Sequence, residues 1–439
     1  MSATSAVGVL SAASAIGIGC AARAPATSAR RAVAPSALDA YAERYVKLVL
    51  AVGRHDANYV DAYYGPPAWA EAAKAGPVPL DEIAARAAAL LAELEAVAAP
   101  PDELGALRRR FLLLQTSSLA ARVRLLRGET MSFDGESEAL YAAHAPPVAE
   151  AEFERRQAEL ERLLPGPGPL ADRVEAFRRG FVVPPEKLEV VLRTALDEAR
   201  RRTRARVALP AGEAVALEFV KDKPWSAYNW YRGGAQSLIQ VNVGLPVFMA
   251  SALHIAAHEG YPGHHVYNAL LEQRLVRERG WVDFSVYPLY SPQSLIAEGS
   301  ATYGVEVAFP DAPAYLRDAL FPLAGLDPGR ADLYMRVEAL ADGLTYAETE
   351  AARRYLDGRL SRAQARDWLA RYRLTSPERA DRLLSNVDLT RTYVINYNLG
   401  RDLVASFIER RGGTTDAPDR RWALFEGLLS SPRLPPDLR

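Results

Sequence analysis

Apolar residues recur at helical spacing over most of this chain. Across residues 38–206, Tyr41, Tyr45, Leu48 and Val49 mark one stripe, and similar stripes run over residues 80–98, 104–126 and 186–206. Pro and Gly clusters at Gly65-Pro66-Pro67, Pro100-Pro101 and residues 164–169 punctuate them. The texture then changes. Residues 214–220 and 237–242 read as strands, the latter with partial alternation of apolar residues. Between them lie an aromatic stretch, residues 225–231, and the pair Gly233-Gly234. From Pro246 the helical period returns nearly to the end, and no internal repeat of fixed period is present. The pattern predicts a mainly α protein, with two helical lobes around a cleft and one small β-sheet. Residues 37–206 form the N-terminal lobe in this reading and residues 207–439 the second.

Composition adds boundaries. The chain has 439 residues, 49% apolar and 24% charged, with a formal net charge of -1, as expected of a soluble globular protein with no nucleic acid as its main partner. Cys20 is the one cysteine, so neither an intrachain disulfide nor a Cys-based zinc site is available. Any metal must be held by His, Asp or Glu. Residues 6–19 are apolar or small apart from serines, too short to span a bilayer but suited to a signal-peptide core, and Cys20 follows as in bacterial lipoprotein signals. The first five residues carry no Lys or Arg, and Gly17 stands where a branched apolar residue is usual. The expectation is that residues 1–36 are a leader and linker, with a lipidated Cys20 as membrane tether and an extracytoplasmic, cell-envelope location. The alternative is an alanine-rich leader on a cytoplasmic protein.

Four of the six histidines fall between residues 254 and 265. In zinc peptidases two His of one helix bind the metal, and the Glu beside the first acts as general base. Here His258-Glu259 begins such a pattern, but Pro262 occupies the usual position of the second ligand. In an unbroken helix His265 would lie about 10 Å along the axis from His258, too far for one zinc with bonds of about 2 Å. The helix must therefore deform. Pro262 lacks the N–H that would bond to the His258 carbonyl, and Gly263 permits an unusual backbone. A distortion there brings His264 towards the metal; His264 is preferred over His265 as second ligand, and His254, one turn before His258, reads as a core or supporting residue. The third ligand is expected to be Glu298, about two turns into a helix opened by Ser291 as N-cap and Pro292. Its neighbours are apolar or small, so its carboxylate is expected to be buried, and a buried carboxylate needs a partner. Glu306 is the weaker alternative.

The strings His258-Glu259-Gly260-Tyr261-Pro262-Gly263-His264-His265 and Glu298-Gly299-Ser300-Ala301 resemble the domain-of-unknown-function 885 family, which carries a His-Glu-x-x-Pro-Gly-His-His motif and a downstream Glu-Gly-x-Ala segment. Tyr397-Asn398-Leu399-Gly400 is similar to a late Tyr-x-x-Gly element of that family, and residues 59–66 to one of its subgroups. The resemblance implies a gluzincin-like metallopeptidase with a mostly helical fold similar to thimet oligopeptidases.

The chemistry this predicts is zinc-dependent hydrolysis of peptide bonds with one Zn2+ per chain. His258, His264 and Glu298 would hold the metal and leave one position for water, whose proton Glu259 takes. Tyr397 is the candidate donor to the oxyanion, the other reading being an aromatic packed beside Tyr393. The strand at residues 237–242 could pair at its edge with an extended peptide. Arg391 and Arg401 flank Tyr397 and are candidate anchors for a chain terminus, while His55 has no assignable role. Two alternatives stand: a metal-dependent amidase or esterase acting on a small non-peptide substrate, and a non-catalytic metal-binding envelope protein. Retention of Glu259 argues against the last, since a structural zinc needs no general base.

Overall fold

The computed structural model describes residues 36–223 and 225–439, so the leader and Cys20 lie outside the described residues. The chain is mainly helical with little sheet, as its hydrophobic period predicts. Helices occupy Asp39–Val52, Leu80–Ala96, Glu103–Leu126 and Pro185–Arg204, close to the four apolar stripes. The Glu103–Leu126 helix starts where Asp102 accepts a hydrogen bond from the Gly105 N–H at 2.8 Å. It buries Leu107, Phe111, Leu112, Leu119 and Val123 along one face. The main hydrophobic cluster draws on residues from Leu38 to Leu438 and thus on both halves of the chain.

Five strands are present among the described residues: β1 (Val60–Tyr63), β2 (Ala214–Val220), β3 (Ala227–Tyr231), β4 (Gln236–Asn242) and β5 (Val286–Pro288). They form a three-stranded sheet of order β2-β4-β3 and a two-stranded ladder of β1 with β5. β2 runs parallel to β4, and β3 antiparallel to it. This corrects one expectation. The strand at residues 237–242 is paired on both sides and offers no edge; the edges are β2 and β3, because the aromatic stretch before it folds back as a hairpin partner. The hydrogen bonds Asn242 N–H to Ser226 O and Arg232 N–H to Gln236 O set the phase of the β3–β4 ladder. By alternation, the backbone groups of Ala227, Asn229 and Tyr231 point away from β4.

Two further ties position the site. The antiparallel β1–β5 ladder, with Val60 opposite Pro288, docks residues 60–63 just ahead of the Pro292–Ala308 helix. Gln115 and Ser118 of the Glu103–Leu126 helix bond to Gln293 and to the Tyr290 carbonyl at 3.1 and 3.0 Å. Residues Pro292 to Ala301 are buried without interruption, which is why this helix shows no polar stripe in the sequence.

Candidate metal centre

The helix carrying the histidines begins as Met249–Ile255 and widens into a π-turn over Ala256–Gly260. The Tyr261 N–H reaches back five residues to the Ala256 carbonyl at 3.1 Å. Tyr261 is extended, and a new helix starts at His264 and runs to Leu271. The break at Pro262-Gly263 is thus sharper than a bulge: one helix ends and another begins. Gly263 makes this possible. A Cβ there would lie 1.8 Å from the His258 carbonyl oxygen, so only glycine lets the second helix start against the backbone of the first. His264, the first residue of the new helix, thereby comes beside His258, their rings edge to face with centroids 4.7 Å apart.

The third member arrives from the Pro292–Ala308 helix. Glu298 Oε2 lies 3.3 Å from His258 Nε2 and 3.6 Å from His264 Nε2. The ligand atoms of His258, His264 and Glu298 all lie within 4.8 Å of one another. A tetrahedral zinc with bonds of about 2.1 Å has ligand–ligand edges of about 3.4 Å. Glu298 Oε2 is buried with no hydrogen-bond partner among the described residues, although two imidazole nitrogens stand near it. That is the arrangement of atoms grouped around a cation. The donor set fits a zinc ion. In the metal-free protein burial opposes ionisation of Glu298, but the imidazoles, His264 foremost, hold its carboxyl far below the usual range. His264 answers in kind: burial lowers its pKa, but Glu298, Glu259 and Asp61 raise it to about 9.

What brings Glu298 into place is a close helix crossing. The helix Ile395–Glu409 packs on Pro292–Ala308 through two glycines: a Cβ on Gly299 would lie 2.3 Å from the Gly400 carbonyl carbon, and one on Gly400 would lie 2.6 Å from the Leu295 oxygen. Backbones that touch bring two tyrosines to the carboxylate. The Tyr393 hydroxyl donates to Glu298 Oε1 at 2.8 Å. Tyr397 keeps 43% of its surface accessible, yet Glu298 and Glu259 add to burial in pushing its phenol well above the ordinary value. It is therefore open to solvent rather than filling a core, with its ring against Tyr393 at 5.9 Å.

Glu259 is half-buried beside the cluster, and burial raises its pKa against the pull of His258 and His264. Its carbonyl accepts a hydrogen bond from Asn229 Nδ2 of β3 at 2.6 Å, which ties the π-turn to the sheet edge. His265 does not join the cluster. Fully buried, it bonds through Nδ1 to Ser237 Oγ of β4 at 2.9 Å and through Nε2 to Glu213 at 3.0 Å. Burial holds it neutral despite Glu213. A carboxylate only accepts, so Nε2–H donates to Glu213 and Nδ1 accepts from the serine. Glu213 also receives the Tyr261 hydroxyl at 2.5 Å and Arg200 at 3.0 Å. Burial opposes its ionisation, but these partners bring its pKa down to about 2. His254 stacks on the His258 ring at 4.8 Å but contributes no atom to the cluster.

The remaining candidates are engaged elsewhere. Glu306 pairs with Arg401 at 2.7 Å, Arg401 also with Asp402, and Arg391 with Glu136 at 2.7 Å, so neither arginine is free to hold a chain terminus. His55 bonds to the Val78 carbonyl at 2.7 Å. Ser291 precedes the Glu298 helix as expected but does not cap it through its side chain; its hydroxyl donates to the Pro288 carbonyl at 2.7 Å.

Reasoning from the sequence missed several residues. Tyr393 was legible only as packing, although it lies one turn before Tyr397 on the same face. Glu213 and Asn229 carry no local signal, since each meets the site only through the sheet. Asp61, on β1, accepts a hydrogen bond from the Tyr228 hydroxyl of β3 and lies close enough to His264, Glu298 and Glu259 to feel all three charges. Burial raises its pKa to about 6, with Tyr228 and His264 opposing.

Fold and cluster together define a mainly helical protein with a His/His/Glu constellation able to take one metal ion. The chain matches no protein-family model and no curated protein. Among solved structures it is similar to a candidate lipoprotein from Colwellia psychrerythraea, with 14% identity, 79% of this chain and 66% of that chain covered, and a TM-score of 0.50. It is also similar to a candidate lipoprotein of unknown function from Shewanella oneidensis (13% identity, 82% and 75% covered, TM-score 0.44) and to an M32 carboxypeptidase from Deinococcus radiodurans R1 (16% identity, 88% and 89% covered, TM-score 0.37). The first shows a shared fold, and this chain spans just under two thirds of its length; the other two add nothing to that.

Proposed function

We propose that this protein hydrolyses peptide bonds with the help of one zinc ion held by His258, His264 and Glu298. The observation that carries the reading is the convergence of those three side chains from three helical segments, with Glu298 Oε2 buried and without a hydrogen bond beside the two imidazoles and Glu259 alongside. The same residues carry the resemblance to the domain-of-unknown-function 885 family. Zinc bound there supplies a Lewis acid and lowers the pKa of a water. Glu259 takes up the proton of the attacking water, and the pKa that burial raises suits it to pass that proton to the leaving amine. Tyr397, kept protonated by burial and by Glu298 and Glu259, donates to the oxygen on which negative charge develops. Tyr393 fixes the orientation of Glu298.

A peptide rather than a small molecule is favoured by the sheet edge. The outward backbone groups of Ala227, Asn229 and Tyr231 lie on the strand that also holds the Glu259 carbonyl, and an extended chain can pair with them. For location, the apolar stretch at residues 6–19 followed by Cys20 supports export and tethering at the cell envelope. No helix among the described residues is long and apolar enough to cross a membrane. The deciding experiment is metal content of wild type and His264→Ala, followed by hydrolysis of a peptide library. One zinc per chain in wild type, lost in the variant, with peptide cleavage abolished in Glu259→Gln, is the expected result. A wild type that takes no zinc when supplied with it overturns the proposal.

A further inference from the structure

Asp61 has no role in the chemistry above, yet it stands at the site. The two-stranded ladder of β1 with β5 delivers it there from an N-terminal segment, next to the edge strand β3. Asp61 is only partly buried, so it is open on one side rather than sealed in a core. Tyr228 donates to Oδ1 and fixes the orientation; among the described residues no Lys or Arg pairs with it, and Oδ2 accepts no hydrogen bond. Burying a carboxylate beside two others without a cation is costly, and side chains in such surroundings usually meet an arginine or a metal.

A metal does not account for Asp61. Among the described residues, the cluster able to hold an ion consists of His258, His264 and Glu298 and does not extend to Asp61. Charge counting points to what is missing. Glu259, Glu298 and Asp61 carry about three negative charges when ionised against two positive charges of zinc with neutral imidazoles. One positive charge remains to be supplied, and the accessible side of Asp61 is where it can enter.

We propose that Asp61, oriented by Tyr228, binds an ammonium group of the substrate close to the scissile bond, so that the protein selects peptides with a cationic nitrogen at that position. This deepens the peptidase reading and rests on it. Two sources share the chemistry, the free α-amino terminus of a chain and a lysine side chain. The carboxylate oxygen that Tyr228 leaves free is the acceptor for either.

The test compares six peptides on the zinc-loaded protein: one sequence with a free and an N-acetylated terminus, and the acetylated sequence with lysine or norleucine at each of the two positions flanking the cleavage site. Cation-bearing members are expected to exceed their neutral partners by about 10- to 100-fold in kcat/KM, carried mainly by KM. In Asp61→Asn the ratio is expected to fall towards one, and in Tyr228→Phe to fall by less. A preference for the free terminus assigns the α-amine, and one for lysine in the blocked peptides assigns the side chain; either supports the proposal. Equal rates in wild type, or a preference that survives in folded Asp61→Asn, overturn it. Should Asp61→Asn fail to fold, the wild-type ratios and Tyr228→Phe decide. Binding of the same six peptides to zinc-loaded Glu259→Gln by calorimetry gives a readout independent of turnover. If the zinc-loaded wild type cleaves no peptide, the peptidase reading falls, and the binding ratios still judge Asp61.

Discussion

At the scale of single residues, the two adjacent histidines of the motif have divided labour. His264 meets His258 and Glu298, whereas His265 is locked between Glu213 and Ser237. His264→Ala should therefore abolish zinc binding. His265→Ala should keep one zinc per chain and lose about 1–3 kcal/mol of stability in chemical denaturation, because it leaves part of a buried carboxylate unpaired. The raised pKa of His264 carries a pH signature. A histidine whose pKa rises from 6.5 to about 9 on folding stabilises the metal-free protein fully below pH 6.5 and loses that contribution as pH climbs through 9. The melting temperature of the metal-free protein should fall across that window. Since zinc needs a neutral imidazole, binding at pH 7 should release a proton, measurable by calorimetry in buffers of different ionisation enthalpy. Glu259→Gln should retain zinc and lower kcat by about 10²- to 10⁴-fold. Tyr397→Phe should also leave zinc in place and cost about 10²- to 10³-fold in kcat; an unchanged kcat would return Tyr397 to a packing role.

At the scale of elements, the site depends on close backbone contacts. Gly263 lets the His264 helix start against the end of the His258 helix, and Gly299 meets Gly400 where the Glu298 and Tyr397 helices cross. Gly400→Ala places a methyl 2.6 Å from the Leu295 carbonyl oxygen and should force the two helices apart, with a loss of about 1–3 kcal/mol and weaker zinc binding as Glu298 and Tyr393 separate. Denaturation curves and zinc titration of this variant check both parts; full stability with wild-type affinity would refute the role given to the crossing. The helices themselves were legible in the sequence because their apolar stripes follow a 3.6-residue period, and β2 and β4 because they do not. β1 and β3 were not legible. β1 pairs with β5, far along the chain, and local propensity does not specify a distant partner; β3 pairs with the neighbouring β4, but its aromatic residues read equally as core.

For the whole molecule, zinc would join the His258 π-turn and the adjoining His264 helix to the Glu298 helix further along the chain. A ligand that binds only the folded state adds stability by mass action, about 4 kcal/mol at 1,000 times its Kd. Chelation should therefore lower the melting temperature, and resupplied zinc should restore it. His264→Ala should melt alike with and without the metal.

Sequence alone determined the helical class, the positions of the long helices and the chemistry on offer, because periodicity and the identity of His, Glu and Tyr are local properties. It also required a distortion near Pro262, since a proline cannot complete the bond to His258. Which histidine turns to Glu298 was decided only by tertiary structure. Gly263 restarts the helix in a direction that aims His264 at the cluster, and Glu213, recruited from the start of β2, claims His265. The same holds for Tyr393, Asn229 and Asp61. Each acts through a contact with a residue 30 or more positions away, and such contacts exist only once helices and sheet have packed into one core.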